Sequence, residues 1–459
     1  MKIKKYEEYQ DFMGRLLLAE KMVKLTPAEK IKFFEKAESN NDKVGLKTKT
    51  VTFQVTDRCN LCCSYCYQIN KHTNSMPFET AKKFIDLMFE DYEREGSYLY
   101  KDECQAIIVE FIGGEPLLEI DLIDKITDYF MYKAISLKHP WANYVMFSMI
   151  SNGLLYFDER VQKYLRKNRN LVSFGISVDG CKELHDMCRV DANGKGSYDI
   201  ASKGCLYHKE HFDPYMLTKM TIAPSNITYI YDAIVNLYEN LHYDVIHCNC
   251  VYEKGWTVDH AKELYKQLKK VSDYVLKNDL EENIYISILY DKGFNIDIDK
   301  ISNTNYCGST GSMLACDPFG KIFPCIRFMD TSLGDSVEPF ILGDVDNGIG
   351  ILPKHKDKIN LLDSITMKSQ STQECIDCPI QGGCGWCTGY NYQETGSPNK
   401  RVTYTCITHK AEYLAAAYFW NNAYKKHNEN EKFEMRIPKE WALEIIDEKE
   451  YNMLQNLSK

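Results

Sequence analysis

Four cysteines fall within eight positions of the stretch "DRCNLCCSYCY", Asp57 to Tyr67. Cys59, Cys63 and Cys66 have the spacing C-x3-C-x2-C. Three thiolates suffice for three irons of a [4Fe–4S] cube, which leaves the fourth iron open to donor atoms of another molecule. Cys62 is the surplus thiol, since side chains adjacent in sequence point in different directions. Taken alone, the same run also reads as half of a zinc site. A second set follows: Cys307, Cys316, Cys325, Cys375, Cys378, Cys384, Cys387 and Cys406. It contains C-x12-G-x4-C and C-x2-C-x5-C-x2-C, and such C-x2-C pairs also build zinc ribbons.

The rest of the composition narrows the compartment and the chemistry. The chain has 459 residues, 18 cysteines and a formal net charge of -9, which disfavours bulk nucleic acid and anionic membrane surfaces as partners. No apolar run approaches membrane-spanning length. The opening "MKIKKYEEYQDF" turns acidic and aromatic where a signal peptide needs an apolar core, so a cytoplasmic location is expected. In a reducing cytoplasm, clustered cysteines point to metal or cluster ligation over disulfides. Cys104, Cys181, Cys188, Cys205, Cys248 and Cys250 are spread along the chain and read mostly as core residues.

The elements that must position these thiols are legible from periodicity. Residues 1–48 read as helical, with apolar patches at Leu16–Ala19 and at Ile31, Phe33 and Phe34. From residue 49 short apolar runs alternate with helical patterns: 50–56, 106–113, 145–151, 171–179, 215–222 and 244–252. Near-continuous apolar strands suit a parallel sheet covered on both faces. Phe78, Ala81, Phe84, Ile85, Met88 and Tyr92 fall at three-to-four spacing and mark an amphipathic helix starting at Pro77. Six β/α units imply a parallel barrel, α/β in class, with its active residues at the C-terminal strand ends. Past residue 300 the rhythm breaks, and "CGSTGSMLACDPFGKIFPC" reads as a hairpin turning at Asp317–Gly320. The expected division is 1–48 helical, 49–300 barrel, 301–410 Cys-rich and 411–459 helical.

With these elements in place, "CNLCCSYCY" resembles the cluster loop of the radical SAM superfamily, whose fold is a partial (β/α)6 barrel. The resemblance implies Cys59, Cys63 and Cys66 as cluster ligands and S-adenosylmethionine on the open iron, cleaved reductively to a 5′-deoxyadenosyl radical that takes a hydrogen atom from the substrate. It further implies S-adenosylmethionine contacts at "GGEP" (Gly113, Gly114, Glu115, Pro116), "SNG" (Ser151, Asn152), "SVDG" (Ser177, Asp179) and Arg189, each following a strand. The later cysteines resemble the SPASM extension, which carries two auxiliary [4Fe–4S] clusters, three clusters in all. By that resemblance Cys307, Cys325 and Cys387 hold the first, and Cys375, Cys378, Cys384 and Cys406 the second. Cys316 either completes the first, the assignment adopted, or is a buried thiol that leaves an iron open. The chain departs from the family pattern once: two residues, not three, separate Cys384 from Cys387.

SPASM enzymes include sulfatase-maturing enzymes and maturases that form thioether or carbon–carbon crosslinks. Ile326 follows Cys325 where the sulfatase branch has an acidic base. The length and the hairpin "CGSTGSMLACDPFGKIFPC" resemble those of maturases of ribosomally made, Cys-rich precursor peptides, so the first reading is a maturase forming thioethers in such a peptide, with a flavodoxin or ferredoxin as electron donor. Carbon–carbon crosslinking and anaerobic sulfatase maturation are the alternatives. The catalytic base, the precursor and the mode of leader recognition are not read from sequence.

Overall fold

The structure, a computed structural model, describes residues 46–214, 216, 218–289, 303–305, 307–334 and 336–459. The helices expected over residues 1–45 lie outside the described residues. Six parallel strands form the frame: β1 (Thr48–Thr56), β2 (Ala106–Gly113), β3 (Val145–Ser151), β4 (Val172–Ile176), β5 (Thr218–Ile222) and β6 (Val245–Cys250). The intervening helices are α1 (Phe78–Glu93), α2 (Ile120–Ser136), α3 (Glu159–Lys167), α4 (Lys182–Cys188), α5 (Tyr198–His211) and α6 (Ile230–Glu239), and α7 (Val258–Lys277) follows β6.

Alternation decides what each strand does. On β1, Val51, Phe53 and Val55 are fully buried beneath the helical layer. Phe53 meets Phe84 of α1 with ring centroids 5.0 Å apart. The apolar positions that marked α1 in the sequence are buried, namely Ala81, Phe84, Ile85, Met88 and Tyr92. Thr52 and Gln54 alternate with the core residues of β1 and so face the barrel interior.

The ladder is less continuous than six equal units imply. β1 to β4 belong to one sheet, while β5, β6 and the two-residue β7 (Tyr285–Ile286) form another. Side chains join the halves at the end of β4. Thr218 Oγ1 donates to the Val178 carbonyl at 3.2 Å, and the Thr221 amide donates to Asp179 Oδ1 at 3.2 Å.

The Cys-rich segment extends the first sheet. β8 (Met313–Cys316) pairs parallel with β1 and antiparallel with β9 (Lys321–Phe323). The hairpin turns as its sequence predicts: Gly320 has φ +82°, and Asp317 Oδ1 accepts from the amides of Phe319 and Lys321 at 2.9 and 2.8 Å. β10 (Gly343–Asp344) and β11 (Gly348–Ile349) complete the edge. The sheet thus runs across the boundary expected at residue 300.

Helices α8 (Pro353–Asp363), α9 (Thr388–Thr395), α10 (Cys406–Lys426) and α11 (Glu448–Leu457) complete the main elements. Helix α10 carries the last cysteine at its first position and lies along α7. Tyr418 Oη donates to Asp273 at 2.6 Å, and Lys426 Nζ donates to the Leu276 carbonyl at 2.6 Å. No helix among the described residues is long and apolar enough to cross a membrane.

Candidate active site at the strand ends

The loop after β1 carries the first cysteines and is anchored before them. Asp57 is buried, and its carboxylate accepts from Gln54 Nε2 and Asn74 Nδ2, both at 2.8 Å. Burial raises its pKa, an effect the Asn74 hydrogen bond opposes. The loop's edge is held by the segment after α4: the amides of Cys62 and Ser64 donate to the carbonyls of Val190 and Cys188 at 2.7 and 3.0 Å. Cys62 is exposed, while Cys59, Cys63 and Cys66 are half-buried and close enough to act on one another electrostatically. Burial pushes the Cys63 thiol up to about 11, and Arg189 opposes that shift.

The next strand end packs against this loop at backbone contact. A Cβ on Gly113 would stand 2.5 Å from the Thr56 carbonyl oxygen, and one on Gly114 would overlap the carbonyls of Asp57 and Arg58. The glycines therefore serve the approach of one strand-end loop to the other. Pro116 opens a turn of 3-10 helix, Pro116–Glu119, and Arg58 pairs with Glu119. Glu115 is fully enclosed and organises the third strand end. Its Oε1 accepts from Ser151 Oγ at 2.8 Å and the Leu117 amide at 3.0 Å, and its Oε2 from the Asn152 amide at 2.8 Å. Asn152 Nδ2 in turn reaches Asn60 Oδ1 at 2.6 Å and lies 3.9 Å from Cys59 Sγ. Ser177 donates its amide to the Ser151 carbonyl at 2.8 Å.

Asp179 and Arg189 are joined to each other. Arg189 Nε donates to Asp179 Oδ2 at 2.7 Å, and Tyr65 Oη donates to the same oxygen. The guanidinium also stands 5.4 Å from the Tyr65 ring centroid. Burial acts to raise the Asp179 carboxyl, but the charge and hydrogen bonds of Arg189 outweigh it and hold the pKa below the usual range. The structure thus brings all nine expected S-adenosylmethionine contacts to three strand ends and the segment after α4, with one of them, Arg189, engaged by another.

Of the later cysteines, Cys307, Cys325 and Cys387 come together: burial raises the Cys325 and Cys387 thiols, and Cys307 adds to the rise at both. The Cys387 thiol accepts from the Tyr390 amide at 3.4 Å, and Cys307 Sγ lies 3.1 Å from Thr388 Oγ1. Cys316 is not brought into this group. It pairs in register with Phe53 on the core-facing side of β8 and is fully buried, with its thiol 3.5 Å from the Asp317 carbonyl oxygen. Cys375, Cys378, Cys384 and Cys406 form a second neighbourhood. Arg401, which sequence reasoning missed, donates to Cys384 Sγ at 2.9 Å and to the Cys384 carbonyl at 2.8 Å. Arg327 was also missed. It stands 5.2 Å from the Tyr67 ring centroid, between the first cysteine loop and Cys387, and ion-pairs with Glu253 at 2.8 Å. Its place two residues after Cys325 was the only signal.

The donors fit iron–sulfur clusters by type and surroundings. Each group is a set of soft sulfur donors gathered in one place, and a bound iron cluster would deprotonate such thiols outright. The Leu61 amide donates to Cys59 Sγ at 3.4 Å, as the Tyr390 amide does to Cys387. Among the described residues no three His, Cys, Asp or Glu side chains converge on one ion-sized point. The corners of a cube lie apart, so its ligands are wider spaced than those of a single ion.

A partial parallel barrel with three thiols on its first strand-end loop and a glycine–carboxylate cradle on the second defines an enzyme that cleaves S-adenosylmethionine at a [4Fe–4S] cluster. Residues 53–234 match the family model described as Radical SAM superfamily, so this part of the chain is a radical SAM domain. The chain is 23% identical over 375 residues to the radical SAM cyclopropyl synthase TigE of Paramaledivibacter caminithermalis, covering 77% of this chain and 71% of that protein. It is 22% identical over 278 residues to a cysteine-type anaerobic sulfatase-maturating enzyme of Clostridium perfringens, covering 58% and 71%. The fold is that of anSMEcpe with bound AdoMet, at TM-score 0.58 and 19% identity, covering 87% of this chain and 98% of that one.

Proposed function

We propose that this enzyme is a peptide maturase that installs thioether crosslinks between a cysteine sulfur and a carbon of a ribosomally made precursor. The cofactors supply, when bound, a 5′-deoxyadenosyl radical able to take a hydrogen atom. The protein's part is to hold them and the peptide. Cys59, Cys63 and Cys66 hold the first cluster, and Glu115 with Ser151 and Asn152 shapes the S-adenosylmethionine cradle. Cys375, Cys378, Cys384 and Cys406 are the ligands of a complete second auxiliary cluster.

The observation that carries the thioether reading is the triad Cys307, Cys325 and Cys387, with Cys316 apart from it in register with Phe53. Three thiols, like the three of the first loop, are a donor set with room for one more sulfur, and a substrate cysteine suits that vacancy by softness. An electron donor of the flavodoxin or ferredoxin type belongs to this reading. The experiment is spectroscopic. A Cys-containing precursor added to the reconstituted enzyme perturbs the auxiliary-cluster signal, and its Cys→Ser form perturbs it less. Equal effects from both peptides remove the support.

The likeness to a cyclopropyl synthase across 77% of the chain favours a second reading, carbon–carbon bond formation in the peptide. The sulfatase-maturing reading draws on the relative from Clostridium perfringens but lacks the acidic residue at Ile326.

A further inference from the structure

The interior of a parallel barrel is ordinarily packed with branched apolar side chains. Here one lateral row is polar. The register pairs Thr52 of β1 with Glu110 of β2, Glu110 with Ser148 of β3, and Ser148 with Ser173 of β4. All four alternate with the buried outer residues, so all four face the interior. On the second sheet Lys219 of β5 pairs with His247 of β6, again alternating with buried neighbours. Two residues further along β3, past Met149, the apolar Ile150 on the same face is 54% exposed. The interior is therefore open to a ligand.

Two charged side chains, Glu110 of the row and Lys219 of the second sheet, face this interior from different sheets and act on each other electrostatically. Glu110 accepts from Thr52 Oγ1 at 2.7 Å, which fixes its carboxylate. Burial raises its pKa, against the opposing charge of Lys219. Lys219 is lowered by burial, against the opposing charge of Glu110. The two groups thus sense one another without closing an ion pair, and Lys219 donates no hydrogen bond within the described residues. An acceptor on one wall and a donor on the other is the complement of a peptide unit, whose N–H and C=O point in opposite directions.

Resting on the reading of the enzyme as a peptide maturase, we propose that Glu110 and Lys219 clamp one backbone peptide unit of the reacting segment, Glu110 accepting its N–H and Lys219 donating to its C=O. This makes them specificity-determining residues that recognise backbone and tolerate variation in the adjoining side chain.

The test uses the reconstituted full chain with S-adenosylmethionine and a displayed library of random nonapeptides with a central cysteine. Peptides enriched on the wild type are resynthesised, alone and with single N-methyl groups at successive backbone amides. The expected result is that N-methylation at one position weakens binding at least tenfold. Glu110→Leu, which removes the acceptor, weakens the parent peptide by a similar factor and makes that N-methyl group nearly without further effect. Lys219→Met weakens both peptides alike. If no single N-methyl group matters to the wild type, the clamp is overturned while the peptide reading stands. If the wild type binds S-adenosylmethionine and enriches no peptide, the peptide reading fails and takes the clamp with it.

Discussion

Arg189 grips Asp179 at the end of β4, Nε to Oδ2 at 2.7 Å, with the Asp179 side chain fully buried and that of Arg189 12% exposed. The arginine expected to meet the cofactor thus already holds a carboxylate of the protein. Its Nε is spent on Asp179, and Tyr65 of the cluster loop shares the same oxygen. The pair therefore ties the loop of Cys63 and Cys66 to the fourth strand end and sets where the rest of the guanidinium points.

Asp179→Asn is expected to destabilise the fold by about 3–5 kcal/mol, because it leaves a buried guanidinium poorly paired. The sign of the pH effect follows from the depressed carboxyl. Its stabilisation is full above the ordinary carboxylate range and is lost as pH falls through the depressed folded value. Urea unfolding of both proteins from pH 7 downward should show the gap narrowing at acid pH. A constant gap would argue against an ionised Asp179 in the native state.

Glu115→Gln places an amide where three donors converge. One hydrogen bond is lost at a buried site, a cost of about 1–3 kcal/mol. The expected outcome is a roughly tenfold or greater rise in the dissociation constant for S-adenosylmethionine, read by equilibrium dialysis. Unchanged affinity would place the cofactor away from the second and third strand ends.

Gly114→Ala forces a methyl group into the backbone of Asp57 and Arg58. Overpacking of this kind costs about 1–3 kcal/mol, and here it pushes on the loop that begins two residues before Cys59. Reconstituted iron per chain should fall by up to one cluster, with the auxiliary signals kept. Loss of all the iron would mean that the substitution acts on folding as a whole.

Replacing Cys59, Cys63 and Cys66 together with Ala should abolish reductive cleavage of S-adenosylmethionine and leave the auxiliary clusters in place. Cys62→Ala, at an exposed thiol, should be nearly silent. Cys316→Ala tests the placement of that thiol directly. Iron content and resting spectrum stay as in the wild type if Cys316 is core, and change if it is a ligand.

These positions show what a sequence conveys and what it withholds. The six strands and α1 were legible because alternation and three-to-four spacing are local properties, as Phe84 and Met88 illustrate. The hairpin at Asp317–Gly320 was legible because its turn residues act locally. The pairing of β8 with β1 was not, since it joins residues more than 250 positions apart. The side Cys316 faces depends on that register, so spacing alone left it open. Glu110 was hidden for a related reason. Within "AIIVEFIG" it reads as one polar residue in an apolar run, and only the row it shares with Thr52, Ser148 and Ser173 gives it a place. Asp179 and Arg189 were both singled out, but their pairing across ten residues was not.

The central claim is a bond between sulfur and carbon, and mass spectrometry of the reacted precursor, before and after cysteine alkylation, tests it most directly. The account predicts a loss of two hydrogens for each crosslink and one fewer alkylated cysteine each time. A peptide that loses two hydrogens while every cysteine still alkylates would contradict it and leave a carbon–carbon crosslink as the better description.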